Sequence, residues 1–200
     1  RDGRKPFHSI NYLTSHDGFT LNDLVTYNGK HNEENGEDGT DGMDSNFSFN
    51  YGYEGPSTNL AIESMRNRQV KNFLATLFLS IGTPMLLGGD EFRRSQGGNN
   101  NAFCQNNATS WYNYDLAERH GDILRLVQEL VAFRLAHPAF RRPEFFTGND
   151  ADYNAIPDIS WFDETGKSPD WARIERRIAW RIDGSKADIL ADRDDNDFYL

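Results

Sequence analysis

Between Leu60 and Ile81 the apolar residues Ile62, Met65, Val70, Phe73, Leu74, Leu77, Phe78 and Ile81 recur at three- and four-residue steps, the period of one helix face. The spacing predicts a helix from about Leu60. Ser57, Thr58 and Asn59 are its N-cap candidates, and Gly82 followed by Pro84 ends it. A second helix is predicted from about Asp122 to Ala136 on the stripe Leu124, Val127, Leu130, Val131 and Leu135, stopped by Pro138. Phe7 to Thr14 alternates as a strand, with Ile10, Tyr12 and Thr14 on one face, and runs into Ser15-His16-Asp17-Gly18. Met85-Leu86-Leu87 is a short unbroken apolar run, expected of a strand buried on both faces of a parallel sheet; it runs into Gly88-Gly89-Asp90-Glu91. Strand, helix, strand, helix is the alternation of a parallel βα sheet or barrel.

Two stretches break this alternation. Residues 28–56 are too dense in Gly, Asn, Asp and Glu to hold a periodic element, and Gly97-Gly98-Asn99-Asn100-Asn101 begins a second polar loop. Long loops of this kind are usually functional or disordered. After Pro143 the helical period disappears: Ile159–Phe162, Arg177–Ile182 and Asp197–Leu200 read as antiparallel strands with turn-rich links, which places a domain boundary near residue 140.

Composition narrows the partners. Thirty-one acidic against twenty-one basic residues give a formal charge of −10, which repels phosphate backbones and anionic lipid surfaces; neither nucleic acid nor a membrane is expected to bind. No apolar run approaches the length of a bilayer span. The single cysteine, Cys104, excludes an internal disulfide, fits a cytoplasmic location and is expected to be half-buried. The ends, Arg1 without an initiator Met and Leu200 within an apolar strand, read as cut from a longer chain.

Candidate chemistry sits where each short strand gives way to polar residues, the position at which βα enzymes gather catalytic groups. That selects His16 and Asp17 after the first strand, and Asp90 and Glu91 after the second. An Asp before Gly is also a common turn element, so position alone leaves both roles open. Asp38, Asp41, Asp44 and Asn46 cluster hard oxygen ligands of the kind calcium takes, but the spacing is not that of an EF-hand and a solvated loop is the preferred reading. No metal and no cofactor is assigned. Arg181-Ile182-Asp183-Gly184 imitates an Arg-x-Asp nucleophile motif but lies in the β-rich tail.

The segment Thr14-Ser15-His16-Asp17-Gly18-Phe19-Thr20-Leu21-Asn22-Asp23-Leu24-Val25, continuing through Tyr27 to Gly36, resembles the His-Asp segment after the seventh barrel strand of isoamylase-like glycogen debranching enzymes of the alpha-amylase superfamily. Gly82-Thr83-Pro84-Met85-Leu86-Leu87-Gly88-Gly89-Asp90-Glu91-Phe92, with Gly98 to Gln105, resembles their eighth strand and following loop. The stretch with Ile159-Ser160-Trp161-Phe162 and Pro169-Asp170-Trp171 is similar, more loosely, to their C-terminal β domain.

The resemblance implies an α/β chain: residues 1–140 as the final two βα units of a (β/α)8 TIM barrel, and 141–200 as the start of an antiparallel β-sandwich. It implies hydrolysis of α-1,6 branch linkages of glycogen or related α-glucans with retention, by a nucleophilic Asp and an acid/base Glu on earlier strands. Asp17 would be the third carboxylate, accepting hydrogen bonds from the sugar before the scissile bond, and His16 would bind a hydroxyl of the same sugar. Arg93, where relatives have a small residue, and Asn106, where they have an acidic one, depart from the pattern. The rival reading is a non-catalytic carbohydrate-binding or interaction module; transglycosylation shares the same His-Asp segment. Two βα units leave open edges, so self-association through Met85, Leu86 and Leu87 is expected.

Overall fold

The computed structural model describes residues 3–150, 153–173, 177–185 and 194–200. Its contacts divide the chain into two units, one of residues 10–80 and 84–132, the other of 1–9, 81–83 and 133–200.

In the first unit the predicted Phe7–Thr14 strand contracts to β1 (Ile10–Asn11), while Pro6–His8 form a 3-10 turn that belongs to the second. The second predicted strand also shortens and shifts, to β2 (Thr83–Pro84). Thr83 N–H donates to the Ser9 carbonyl and Met85 N–H to that of Asn11, both at 2.8 Å. Donors and acceptors advance together by two residues, as in a parallel ladder. Burial on both faces does not follow: Met85 is 40% exposed and Leu86 and Leu87 are half-buried. Only one side of the run is covered: Leu86 packs against the core while Met85 stays exposed.

A short helix α1 (Leu21–Leu24) is capped by Thr20, whose hydroxyl accepts from Asp23 N–H at 3.2 Å. The long helix α2 (Leu60–Leu79) starts where Asn59 accepts from Ala61 N–H at 2.9 Å, so of the three cap candidates Asn59 does the capping. Its buried face is Arg66, Val70, Leu74, Leu77 and Phe78, whereas Phe73 of the predicted stripe turns outward. After β2 come α3 (Asp115–Arg119) and α4 (Gly121–Ala136). Ile123 and Val127 of α4 join Leu21, Val25, Val70, Leu74, Leu77 and Phe78 in the core, with Leu130 against them. The predicted α4 stripe was out of phase: Val131 and Leu135 are exposed, and Ile123 is fully buried. Nine apolar residues lie from 123 to 135 inclusive, a stripe wide enough that helical spacing does not select one face.

In the second unit β3 (Ile159–Phe162), β4 (Ala179–Ile182) and β5 (Phe198–Tyr199) form an antiparallel sheet in the order β3-β4-β5, with Ile159 opposite Ile182, Trp161 opposite Trp180, and Arg181 opposite Tyr199. The alternation predicted three strands here, and these are they. Buried Asp158 fixes the turn beside the sheet by accepting from the N–H groups of Thr147 and Gly148. Phe133, Phe140 and Phe198 pack edge to face at centroid distances of 4.9 to 5.5 Å. The chain as a whole is mixed α/β, and no helix among the described residues is long and apolar enough to cross a membrane.

Candidate active site

The turn between β1 and α1 carries His16 and Asp17, and both side chains stand in solvent, 87% and 75% exposed, with His16 Nε2 at 3.4 Å from Asp17 Oδ2. Asp17 lines an open recess of about 350 Å³ whose other walls include Thr14, Leu24, Asn46 and Phe47; His16 does not line it. The pair is thus free to meet a ligand.

What holds the turn lies beneath it. Asp90, the residue after the second apolar run, is 1% exposed. Its Oδ1 accepts from Leu21 N–H at 2.9 Å, and its Oδ2 accepts from the Thr14 hydroxyl. One carboxylate therefore grips the chain on both sides of residues 15–20. Burial pushes the Asp90 carboxyl up to about 6, against the pull of these two donors. A third tie runs from Gly18 N–H to the Asn100 carbonyl at 3.0 Å. Glu91, the other candidate of this pair, turns back on its own loop, accepting from Gly89 N–H at 2.7 Å.

Asn100 belongs to a network that sequence reasoning missed. The two polar loops are interlocked: Asn100 N–H donates to Asn32 Oδ1 at 3.0 Å, and Asn32 Nδ2 donates to Asn100 Oδ1 at 2.8 Å. Asn100 Nδ2 reaches Met43 O and Asn46 Oδ1, while Asn99 and Asn35 exchange amide hydrogen bonds at 2.7 and 3.3 Å. Asp23, fully buried, gathers the Ser95 hydroxyl and the N–H groups of Gln96 and Gly98, and desolvation still raises its pKa. Gly98 is obligatory at this crossing, with φ +80° and a Cβ position only 2.8 Å from the Tyr27 ring. The signal available was the recurrence of Asn in both loops, since one carboxamide donates two hydrogen bonds and accepts at its oxygen, enough to tie several chain segments together.

Of the carboxylates considered for calcium, Asp41 and Asp44 are engaged within the loops, apart from Asp41 Oδ1, which has no hydrogen-bond partner. Asp41 Oδ2 is occupied by the amides of Asn32, Asn35 and Asn101, Asp44 pairs with Lys30 at 2.7 Å, and Asn46 Oδ1 accepts from Asn100. Among the described residues no group of three or more His, Cys, Asp or Glu side chains is placed to hold a metal ion. Cys104 is exposed rather than half-buried. Arg181 is spent on Asp197 at 2.8 Å within its own sheet, and Asp183 accepts from Asn154. Asn106 accepts from the Trp111 indole N–H at 3.2 Å.

No family model matches the chain. Among solved structures, pullulanase type I from Bacillus subtilis, complexed with maltose, is similar over 98% of this chain and 20% of its own, at TM-score 0.61 and 22% identity. Pullulanase from Bacillus acidopullulyticus aligns with 90% of this chain and 17% of its own, at TM-score 0.57 and 20% identity. The fold is therefore that of a segment of these pullulanases.

Sequence relatives narrow the class. The chain is 42% identical over 187 residues to the glycogen operon protein GlgX homolog of Mycobacterium tuberculosis, covering 91% of this chain and 26% of that protein. It is 45% identical over 168 residues to the glycogen debranching enzyme of Dickeya chrysanthemi (84% and 24%), and 39% identical over 191 residues to isoamylase of a Flavobacterium species (92% and 24%). The chain is an isoamylase-like relative of the glycogen debranching proteins, and it spans about a quarter of the length of the curated relatives it matches.

Proposed function

We propose that this chain is the His-Asp-bearing part of a retaining glycoside hydrolase that cleaves α-1,6 branch linkages of glycogen or related α-glucans. The observation that carries the reading is an exposed carboxylate, Asp17, at the wall of a recess, on a turn pinned from below by a buried carboxylate and an asparagine network. Such preorganisation is what a transition-state contact needs, because donors and acceptors already in place cost no rearrangement when charge develops.

In this reading residues 1–140 are the last two βα units of a (β/α)8 barrel and residues 141–200 open a β-sandwich. The parallel bonding of β1 with β2 and the antiparallel β3-β4-β5 sheet support that partition. Attack and protonation come from two carboxylates outside these 200 residues, set about 5 to 5.5 Å apart across the glycosidic bond. Asp17 performs neither step. It accepts hydrogen bonds from hydroxyls of the sugar before the scissile bond, and these strengthen as the ring flattens toward the oxocarbenium ion. His16, 3.4 Å away, binds a hydroxyl of the same sugar. The partner is an α-glucan, no cofactor takes part, and the cytoplasm is the expected compartment.

The experiment is Asp17→Asn in the complete enzyme. The expected result is a fall in kcat of at least about a hundredfold, the scale of losing one preorganised contact to the transition state. An unchanged kcat would reduce Asp17 to a turn residue. Product analysis on branched glucan separates hydrolysis, which releases linear chains, from transglycosylation, which conserves the number of linkages.

A further inference from the structure

We propose that the pocket walled by Arg93, Arg66, Arg119, His120, Glu63 and Asn22 is a binding site for a phosphomonoester dianion, supplied by inorganic phosphate or by a phosphorylated sugar. The inference does not rest on the debranching reading.

The charge balance of the wall carries it. Three guanidinium groups face one carboxylate, in a chain whose formal charge is −10. Glu63 is moreover shared: its Oε1 lies 2.8 Å from Arg66 Nη1, and its Oε2 only 3.5 Å from Arg93 Nη2. The nearby acid that acts electrostatically on both Arg93 and His120 is Asp122, and Lys71 neutralises it at 2.8 Å. Arg119, at the exposed end of α3, makes no ion pair with any described residue.

Arg93 is the centre of the site. It is 6% exposed and its Nε donates to Asn22 Oδ1 at 3.0 Å, which aims the guanidinium while leaving its remaining donors for a ligand. Burial lowers its pKa, the sign of a cation held without a full counter-ion. Arg66 is fully buried, and its Nη groups are spent on the carbonyls of Gly55, Asn50, Thr26 and Tyr53, yet its Nε has no partner. Arg66 therefore adds positive potential behind the wall rather than a contact, and direct pairing with a ligand falls to Arg93 and the exposed Arg119.

Phosphate suits this wall better than a carboxylate. Planar guanidinium forks pair with it bidentately, and its oxygens can be shared by arginines approaching from different sides. The cavity, about 310 Å³, lies at the lower end of the range for small-ligand sites, about 300 to 1,000 Å³, which admits a sugar together with its phosphate. Ser57 on the same wall offers a hydroxyl to such a sugar.

The test is calorimetric titration of the intact protein that carries this chain, at low ionic strength, with inorganic phosphate, with glucose 6-phosphate and with glucose. Saturable binding of one phosphate-bearing ligand per chain is expected, with none for glucose. Arg93→Gly should weaken it at least about tenfold, the loss of one charge-assisted pair; glycine suits the φ of +60° at this position, so the backbone need not move. Arg119→Gln, at an exposed helix end, should weaken it several-fold without touching the fold. Tighter binding of the sugar phosphate identifies a phosphorylated sugar as the source, and equal binding identifies phosphate itself. Absence of saturable binding of either through the millimolar range, or affinity unchanged in both variants, overturns the proposal.

Discussion

Asp90→Ala tests whether the exposed pair is held in place from beneath. The substitution orphans two donors, the Leu21 N–H and the Thr14 hydroxyl, both on buried residues. At about 1 to 3 kcal/mol for each unsatisfied buried group, opening of the 14–24 segment should become easier by about 2 to 6 kcal/mol where the wild-type carboxyl is protonated. Ionisation of that carboxyl works in the opposite direction. Its folded pKa is raised, from 3.8 to about 6. The opened segment therefore releases its proton at lower pH than the folded one, and wild-type stability is lost as pH rises from about 4 through about 6. Roughly two units at about 1.4 kcal/mol each is about 3 kcal/mol, and alanine carries no such penalty.

The destabilisation by Asp90→Ala should therefore be greatest near pH 4 and smaller by up to about 3 kcal/mol above pH 6. Hydrogen exchange read by mass spectrometry on peptides spanning residues 14–24, corrected for intrinsic exchange rates, gives the opening free energy of this segment in the intact protein. A difference between wild type and variant that stays level from pH 4 to pH 7, or grows with pH, would refute the buried ionisation, and a difference near zero at pH 4 would refute the pinning role.

On α4, Ile123→Ala should cost about 2 to 5 kcal/mol, because Ile123 is fully buried, whereas Leu135→Gln at a 65% exposed position should change stability by less than about 0.5 kcal/mol; chemical denaturation compares them. Asn100→Ala removes one of the acceptors of the buried Asn32 amide, which keeps the Asp41 carbonyl, and frees Met43 O and Asn46 Oδ1. Limited proteolysis between residues 32 and 46 should accelerate while cleavage around Phe133 does not. The 200-residue chain by itself should self-associate, because a two-strand sheet with exposed Met85 leaves edges unpaired; sedimentation that gives one monomer mass at every concentration would count against this.

Apolar period located α2 and α4 to within a residue or two, and alternation located β3, β4 and β5. These elements are defined by what they bury within a few turns of themselves. It failed where the answer depends on neighbours. The phase of α4 was set by contact with Leu74 and Val70 of α2 rather than by its own spacing, and β1 and β2 shrank because each has a single short partner. The exposed half of the candidate site, His16 and Asp17, was legible through the position of a polar pair after a strand and through the resemblance. Of the buried half, only Asp90 was singled out, and as a candidate catalytic group rather than as a buried support. Hydropathy assigns Arg66, Asp23, Asp90 and Asn100 to the surface, yet each is at most 3% exposed.

Those four residues share one arrangement that bears on how the site functions. Each is a polar side chain placed inside, and each gathers backbone or side-chain groups from loops distant in sequence: Arg66 the carbonyls of 26 and 50–55, Asp23 the N–H groups of 96 and 98, Asp90 the two sides of the 15–20 turn, Asn100 the loop around Asn32 and Met43. Loops this rich in glycine have no apolar core of their own, so ordering them requires directional bonds strong enough to offset backbone entropy. A charge or amide buried among several donors or acceptors provides such bonds, and it becomes costly as soon as one partner leaves. Breakage at any of the four should therefore reach the 15–20 turn that bears Asp17 although none of them, in the proposed mechanism, touches the sugar. In a kinetic comparison, Asp90→Ala or Asn100→Ala should lower kcat by loosening Asp17, whereas Asp17→Asn lowers kcat with the turn's hydrogen exchange unchanged. Loss of activity in Asp90→Ala with the exchange of residues 14–24 unaltered would mean that Asp90 acts on the reaction in some other way than by holding the turn.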